Sequence, residues 1–316
     1  MQSQLHSTAV LLESPRELRL KRLLLDEPND SDVVVQIEWS GISTGTEKLL
    51  WNGTMPDFPG MGYPLVPGYE SVGRVTRVGK SSHLSLNQRV FVPGAKCFGD
   101  VKGLFGGAAS HVVVPSDRVI ELNEEIGEEG VLLALAATAY HVTQGKKSLQ
   151  PDLIVGHGVL GRLIARIAVM FGHQPVVWEI DTDRMSGAEG YTVLHPCDDQ
   201  DNKYKNICDA SGQVSVLNKL ISQLQFGGEI TLAGFYDKDI QFNFPSAFMK
   251  EAKLRIAAQW APQDLKDVKQ LLSNGRLNLN GLITHHRKPS SIGDVYRTAF
   301  EDPNCLKMVV DWREAL

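Results

Sequence analysis

The chain has 316 residues, long enough for two ordinary domains, and its 42% hydrophobic content supplies core for both. Its 32 basic and 37 acidic residues leave a net charge of −5 with no basic run and no acidic tail, which argues against a nucleic-acid partner and for a small-molecule ligand. Four cysteines, Cys97, Cys197, Cys208 and Cys305, stand far apart without a CxxC pair, so neither a disulfide framework nor a zinc knuckle is expected and a cytoplasmic setting fits best.

The opening MQSQLHSTAVLLESPRELRL lacks a basic segment followed by a sustained apolar stretch, and VLLALAA is too short to span a bilayer. No export signal and no transmembrane segment are expected, while weak attachment to a membrane surface is left open. The segments VVVQIEW, SVGRVTRV, QRVFVP and HVVVP predict short strands between Gly/Pro-rich turns, hence a β-rich first domain. Within it, LVPGYESVG sets Tyr69 and Glu70 in a turn that opens a strand. Further on, EEGVLLALAATAYHVTQ predicts a helix, and DLIVG, PVVWEI, NICDAS, GGEITLAG and KLRIAAQW predict parallel strands alternating with helices in an α/β arrangement. After a helical PQDLKDVKQLLSNG, the tail predicts one helix and one terminal strand.

DLIVGHGVLGRLIARIAVMFG places Gly156, Gly158 and Gly161 in G-x-G-x-x-G spacing, directly after an apolar strand and directly before an amphipathic helix. Gly156 permits the tight turn, Gly158 lets the backbone approach a pyrophosphate, and Gly161 lets helix and strand pack closely. The helix start at Val159 and Leu160 offers unpaired N–H groups to the anion. Glu179, at the end of the second strand in VVWEID, is placed to accept hydrogen bonds from the adenosine ribose and to repel a 2′-phosphate, so NAD is expected over NADP. Asp181 competes for that role, with a helix N-cap as its alternative; register favours Glu179.

The order of parts resembles the medium-chain dehydrogenase/reductase superfamily over essentially the whole chain. Its marks are SGIS at 40–43, PLVPGYESVGRVTRVG at 64–79, QRV at 88–90, ASHVVVP at 109–115, ATAYHV at 137–142, CDASG at 208–212, FGGEITLAG at 226–234 and LKMVV at 306–310. The resemblance implies a GroES-like catalytic domain over 1–124, a NAD-binding Rossmann domain with a doubly wound parallel sheet over 125–277, and a C-terminal return to the first domain over 278–316. It also implies a cofactor contact for Ser211 and leaves a homodimer open.

Departures from that family are as informative. Zinc-dependent members place a cysteine where this chain has Ser43, a histidine before the glutamate where it has Tyr69 before Glu70, and a third ligand near Ala134. Zinc needs about four N, S or carboxylate ligands, so the resemblance implies a site without metal. The 34-residue stretch SGISTGTEKLLWNGTMPDFPGMGYPLVPGYESVG is similar to a zinc-free branch of the superfamily. That branch oxidises the 3-(1-hydroxyethyl) group of a bacteriochlorophyllide-type tetrapyrrole to acetyl in bacteriochlorophyll biosynthesis. Without a Lewis acid the substrate hydroxyl needs other partners. The resemblance makes Tyr69 the first choice of proton acceptor, with Ser43 or Thr44 bonded to the substrate oxygen and Glu70 nearby. A tyrosine in that role needs a positive charge beside it, the nicotinamide or Lys48, to bring it below its ordinary value near 10.

Glu47, Trp51, Phe58 and Tyr63 are the expected substrate contacts, the 51–63 loop being either a platform for a flat apolar ligand or a loop that buries its own aromatics. His141, His285 and His286 are either bases or ligands to a ring magnesium, or satisfied structural histidines. Two other functions stay open: a zinc-free quinone or enoyl reductase, which would want a basic residue where Glu179 stands, and a non-enzymatic NAD-binding protein.

Overall fold

The computed structural model describes residues 4–57, 59–102, 105–143, 150–200 and 203–314. They fall into two units, one running up to Ala134 and resuming at Leu282, the other Leu135–Gly281.

The first unit opens with a hairpin that the sequence does not predict, β1 (His6–Ser14) against β2 (Glu17–Leu24). In β2, ELRLKRLL alternates leucine with charge; Leu18, Leu20 and Leu23 turn to the core and the charges to water. β3 (Asp32–Ile42) is buried along nearly its whole length and forms the spine of a larger sheet. A turn at Ser43–Gly45 leads into the short helix α1 (Thr46–Asn52), which ends at Gly53 in the left-handed region at φ 72°. β4 (Ser71–Val78), β5 (Arg89–Val92), β6 (His111–Pro115) and β7 (Ile120–Glu121) follow, with β4 and β6 both antiparallel to β3. The predicted helix after them begins as a 3-10 turn at Glu128–Leu132 and continues as α2 (Leu133–Val142).

The second unit contains β8 (Leu153–Val155), α3 (Val159–Met170), β9 (Val176–Trp178), β10 (Thr192–Leu194), β11 (Tyr204–Asp209), α4 (Leu217–Gln223), β12 (Leu224–Leu232), α5 (Phe244–Met249), β13 (Lys253–Ile256) and α6 (Pro262–Ser273). Its six strands are parallel in the order β10-β9-β8-β11-β12-β13. The order reverses between β8 and β11, and the carboxyl ends of strands at such a point are where α/β sheets bind ligands.

The predicted alternation of strand and helix fails between β9 and β11, where the described residues form no α-helix. Between β9 and β10 the crossover is an irregular segment with one 3-10 turn at Thr182–Arg184. Side chains of α3 hold it instead: Arg162 donates to the carbonyls of Arg184 (2.9 Å) and Ser186 (2.8 Å). Among the described residues no helix is long and apolar enough to cross a membrane.

The chain then returns to the first unit with β14 (His285–Arg287), α7 (Ile292–Glu301) and β15 (Met308–Asp311). β15 pairs antiparallel with β3, Met308 opposite Ile42, completing a seven-stranded sheet in the order β14-β15-β3-β4-β5-β7 with β6 also on β3. The start of β15 therefore lies beside the end of β3 from which the Ser43 turn departs.

Candidate active site

The glycine loop leaves β8 with Gly156 at φ 96°, a conformation that a side chain would strain. A Cβ on Gly161 would lie 1.9 Å from the Gly156 carbonyl oxygen, so only glycine lets the first turn of α3 sit on the loop. At Gly158 the added Cβ would meet nothing within 4 Å. That open approach precedes the N–H groups of Val159, Leu160 and Gly161, which have no carbonyl within the helix to bond. The chemistry of these groups suits an anionic pyrophosphate.

Glu179 is buried and fixed by three backbone N–H groups: His157 donates to Oε2 at 2.8 Å, and Ile180 and Asp181 donate to Oε1 at 2.8 and 3.0 Å. Oε1 is saturated, while Oε2 keeps one lone pair for a ribose hydroxyl. Asp181 takes its alternative role: it caps the following 3-10 turn by accepting from Asp183 N–H at 3.1 Å. Ser211 bonds Asp209 through both its N–H (2.8 Å) and its hydroxyl (2.6 Å), and its Cα lies 3.4 Å from the position of a Gly156 Cβ. The sequence reading missed the brace behind the loop. His157 is sealed from solvent between the Arg184 carbonyl (2.6 Å) and the Tyr191 hydroxyl (2.8 Å). Burial lowers its pKa to about 4, so it is neutral.

In the first unit, β3, its following turn, the Tyr69 turn and the C-terminal return bring six polar side chains together. Tyr69 donates to Ser43 Oγ at 2.7 Å, and both residues are buried. Glu47, 1% exposed, accepts the Ser43 N–H on Oε1 at 3.0 Å and bonds the Tyr296 hydroxyl through Oε2 at 3.1 Å. Glu70, fully buried, pairs with Lys307 Nζ at 2.6 Å; Lys307 also donates to the Ile42 carbonyl at 3.1 Å. Thr44 lies in the turn, half-buried.

Burial shapes the proton affinities here. It pushes the Glu47 carboxyl up to about 8, the Ser43 N–H opposing and Glu70 assisting. It also raises the Glu70 carboxyl, against which Lys307 acts. The Tyr69 phenol is raised far above its ordinary value by burial and then by the Glu70 charge. Of the two cations expected to lower it, Lys48 is turned away to the Phe300 carbonyl at 2.8 Å. Tyr69 is therefore a neutral hydroxyl, suited to giving and relaying hydrogen bonds.

The expected substrate contacts are placed otherwise. Trp51 is 9% exposed in the core, tilted against Phe300 at 5.5 Å with the Arg16 guanidinium over its ring at 5.4 Å. Tyr63 spends its hydroxyl on the Leu50 carbonyl and packs against the same core. Both oxygens of Glu47 are already bonded. Trp51 is buried and Tyr63 partly so, and Phe58 lies outside the described residues. His141, His285 and His286 each face a carboxylate: Asp264 at 2.7 Å, Asp302 at 3.6 Å and Glu128 at 3.0 Å. Among the described residues no three His, Cys, Asp or Glu side chains gather as a metal-binding group.

A GroES-like sheet joined in one chain to a six-stranded parallel nucleotide-binding sheet defines an oxidoreductase of the alcohol dehydrogenase type. Residues 29–124 match the alcohol dehydrogenase GroES-like domain. Solved structures share the fold: L-idonate 5-dehydrogenase from Escherichia coli (TM-score 0.85, 19% identity, 98% of this chain and 99% of that one) and 2R,3R-butanediol dehydrogenase from Bacillus subtilis (TM-score 0.83, 19% identity, 96% and 99%). In sequence the chain is 50% identical to the 2-desacetyl-2-hydroxyethyl bacteriochlorophyllide A dehydrogenase of Cereibacter sphaeroides, over 98% of this chain and 99% of that protein. It is likewise 50% identical to the protein of that name from Rhodobacter capsulatus, over 98% and 100%. The chain belongs to the family of these bacteriochlorophyllide dehydrogenases, within the medium-chain dehydrogenase/reductases.

Proposed function

We propose that the chain is an NAD-dependent oxidoreductase that converts the 3-(1-hydroxyethyl) group of bacteriochlorophyllide a to 3-acetyl in bacteriochlorophyll a biosynthesis. The observation that carries this reading is the 50% identity, over nearly the whole of both chains, to two bacteriochlorophyllide dehydrogenases.

The geometry supports it at both sites. The open approach at Gly158 and the first N–H groups of α3 would hold a dinucleotide pyrophosphate, and the spare lone pair of Glu179 would hold the adenosine ribose. A carboxylate fixed by three N–H groups opposes a 2′-phosphate, which favours NAD over NADP. A bound nicotinamide supplies the hydride acceptor. Tyr69 commits its proton to Ser43 Oγ, which leaves the Ser43 hydroxyl proton free to orient the substrate oxygen. This pair takes the place of a Lewis acid, since serine, tyrosine and alanine at positions 43, 69 and 134 are a poor donor set for zinc.

The test is product analysis by mass spectrometry after incubation with NAD and the hydroxyethyl pigment. The product should be lighter than the substrate by two hydrogens, and protein stripped with chelator should form it equally well. Recovery of only the starting pigment would refute the substrate assignment, and activity restored only by zinc would refute the metal-free reading.

A further inference from the structure

A dinucleotide seated on the Gly156 loop has to extend across the sheet, where β9 and β11 flank β8 on opposite sides. With the adenosine ribose at Glu179, which follows β9, the nicotinamide half falls to the carboxyl ends of β11 and β12. A buried charge stands there. Asp209, the last residue of β11, is 1% exposed and in register with Val155, the last residue of β8. Its Oδ1 accepts the Ser211 N–H at 2.8 Å and the Ser211 hydroxyl at 2.6 Å, and its Oδ2 accepts the Tyr236 hydroxyl at 2.7 Å. All three donors are neutral, and among the described residues no cation pairs with the carboxylate.

The backbone fixes this charge in place. The Asp209 carbonyl accepts the N–H groups of Ala233 at 2.8 Å and Gly234 at 3.0 Å, and the Ala210 N–H bonds the Val155 carbonyl at 2.9 Å. A Cβ on Gly234 would lie 2.5 Å from the Gly212 nitrogen. The turns that follow β8, β11 and β12 thus meet backbone to backbone around one carboxylate. Burial raises the Asp209 carboxyl, and the bonds from Ser211 and Tyr236 act against that rise.

We propose that Asp209 is a positioning residue that acts by its charge, making the site favour the oxidised dinucleotide, NAD, over NADH. This rests on the reading that the chain binds NAD at the Gly156 loop. The nicotinamide ring is positive when oxidised and neutral when reduced, so a fixed anion on that side of the crevice attracts one form only. Packing alone does not call for the charge, since an amide of the same shape would brace the turns without the cost of burying an unpaired carboxylate. The Tyr236 hydroxyl, from the turn after β12, holds the carboxylate in its place. The preference suits alcohol oxidation, which consumes NAD and has to release NADH.

The experiment is calorimetric titration of the full chain, in mildly alkaline buffer, with NAD, NADH and ADP-ribose, the last of which lacks the nicotinamide. Asp209→Asn keeps the shape: its oxygen still accepts from Ser211, and its amide can donate to the Tyr236 oxygen. In that variant the ratio of NAD affinity to NADH affinity should fall about tenfold, the scale of one partly screened charge, while ADP-ribose affinity holds. Tyr236→Phe keeps the charge and removes a donor that damps it, so the ratio should rise about twofold. An unchanged ratio in Asp209→Asn would overturn the proposal while leaving the NAD reading intact. So would an equal loss of affinity for all three ligands, which is what a brace without electrostatic effect produces. If Asp209→Asn fails to fold, Tyr236→Phe decides: a raised ratio upholds the proposal, and an unmoved or lowered one overturns it. Wild-type protein that binds none of the three would overturn the cofactor reading and the proposal together.

Discussion

Lys307 Nζ lies 2.6 Å from Glu70 Oε2 across 237 positions of sequence, and the two side chains are 1% and 0% exposed. The pair joins the residue just before β15 to the turn that carries Tyr69. Removing the ammonium strands a carboxylate in a water-excluded core. Lys307→Met should therefore destabilise the protein by about 3–5 kcal/mol, and the added change Glu70→Gln should restore much of that. Urea denaturation of both variants checks it; equal stability of Lys307→Met and wild type would show that the pair carries no such energy.

Two glycines of the nucleotide loop should behave oppositely. In Gly161→Ala the new methyl would sit 1.9 Å from the Gly156 carbonyl, so stability and dinucleotide binding should both fall. In Gly158→Ala the methyl meets open space in the protein, so the thermal midpoint should hold while NAD affinity drops. Calorimetric titration beside thermal denaturation separates the two outcomes, and unimpaired NAD binding by Gly158→Ala would put the pyrophosphate elsewhere.

Glu179→Gln replaces an acceptor-only carboxylate with an amide that keeps a single accepting oxygen for three N–H groups. The preference for NAD over NADP should fall by about tenfold or more, equivalent to about 1.4 kcal/mol. An unchanged ratio of the two dissociation constants would remove Glu179 from cofactor selection.

His157 gives a pH dependence of known sign. Its folded-state value of about 4 lies below its ordinary 6.5, so between these the unfolded chain binds the proton and the folded one does not. Stability contributed by neutral His157 is whole above pH 6.5 and is lost as pH falls toward about 4. Relative to His157→Phe, the wild type should lose about 2 kcal/mol over that window, screening allowed for. Denaturation at several pH values checks it, and parallel curves for the two proteins would contradict it.

Much of the fold could be read from the chain because local pattern determines it. GGEITLAG and VVVQIEW are short runs rich in β-branched residues, which favours strands, and the glycine spacing before an amphipathic helix places the nucleotide loop. The irregular crossover after β9 could not be read that way, because it is held by Arg162 and His157 from outside the segment. The Ser43–Tyr69 corner was visible as a departure from a familiar motif. Its supports were not: Tyr296 meets Glu47 from 249 positions away, and no local spacing signals such a partner. Trp51 and Tyr63 misled because an aromatic loop in sequence reads alike whether it faces a ligand or its own core.

The most direct measurement is the absorption spectrum of 3-(1-hydroxyethyl)bacteriochlorophyllide a during incubation with the purified protein and NAD. The account expects the long-wavelength band to move to the red as the 3-acetyl product forms, with one NADH appearing for each pigment converted. An unchanged pigment spectrum, in a preparation that oxidises short secondary alcohols with NAD, would contradict it.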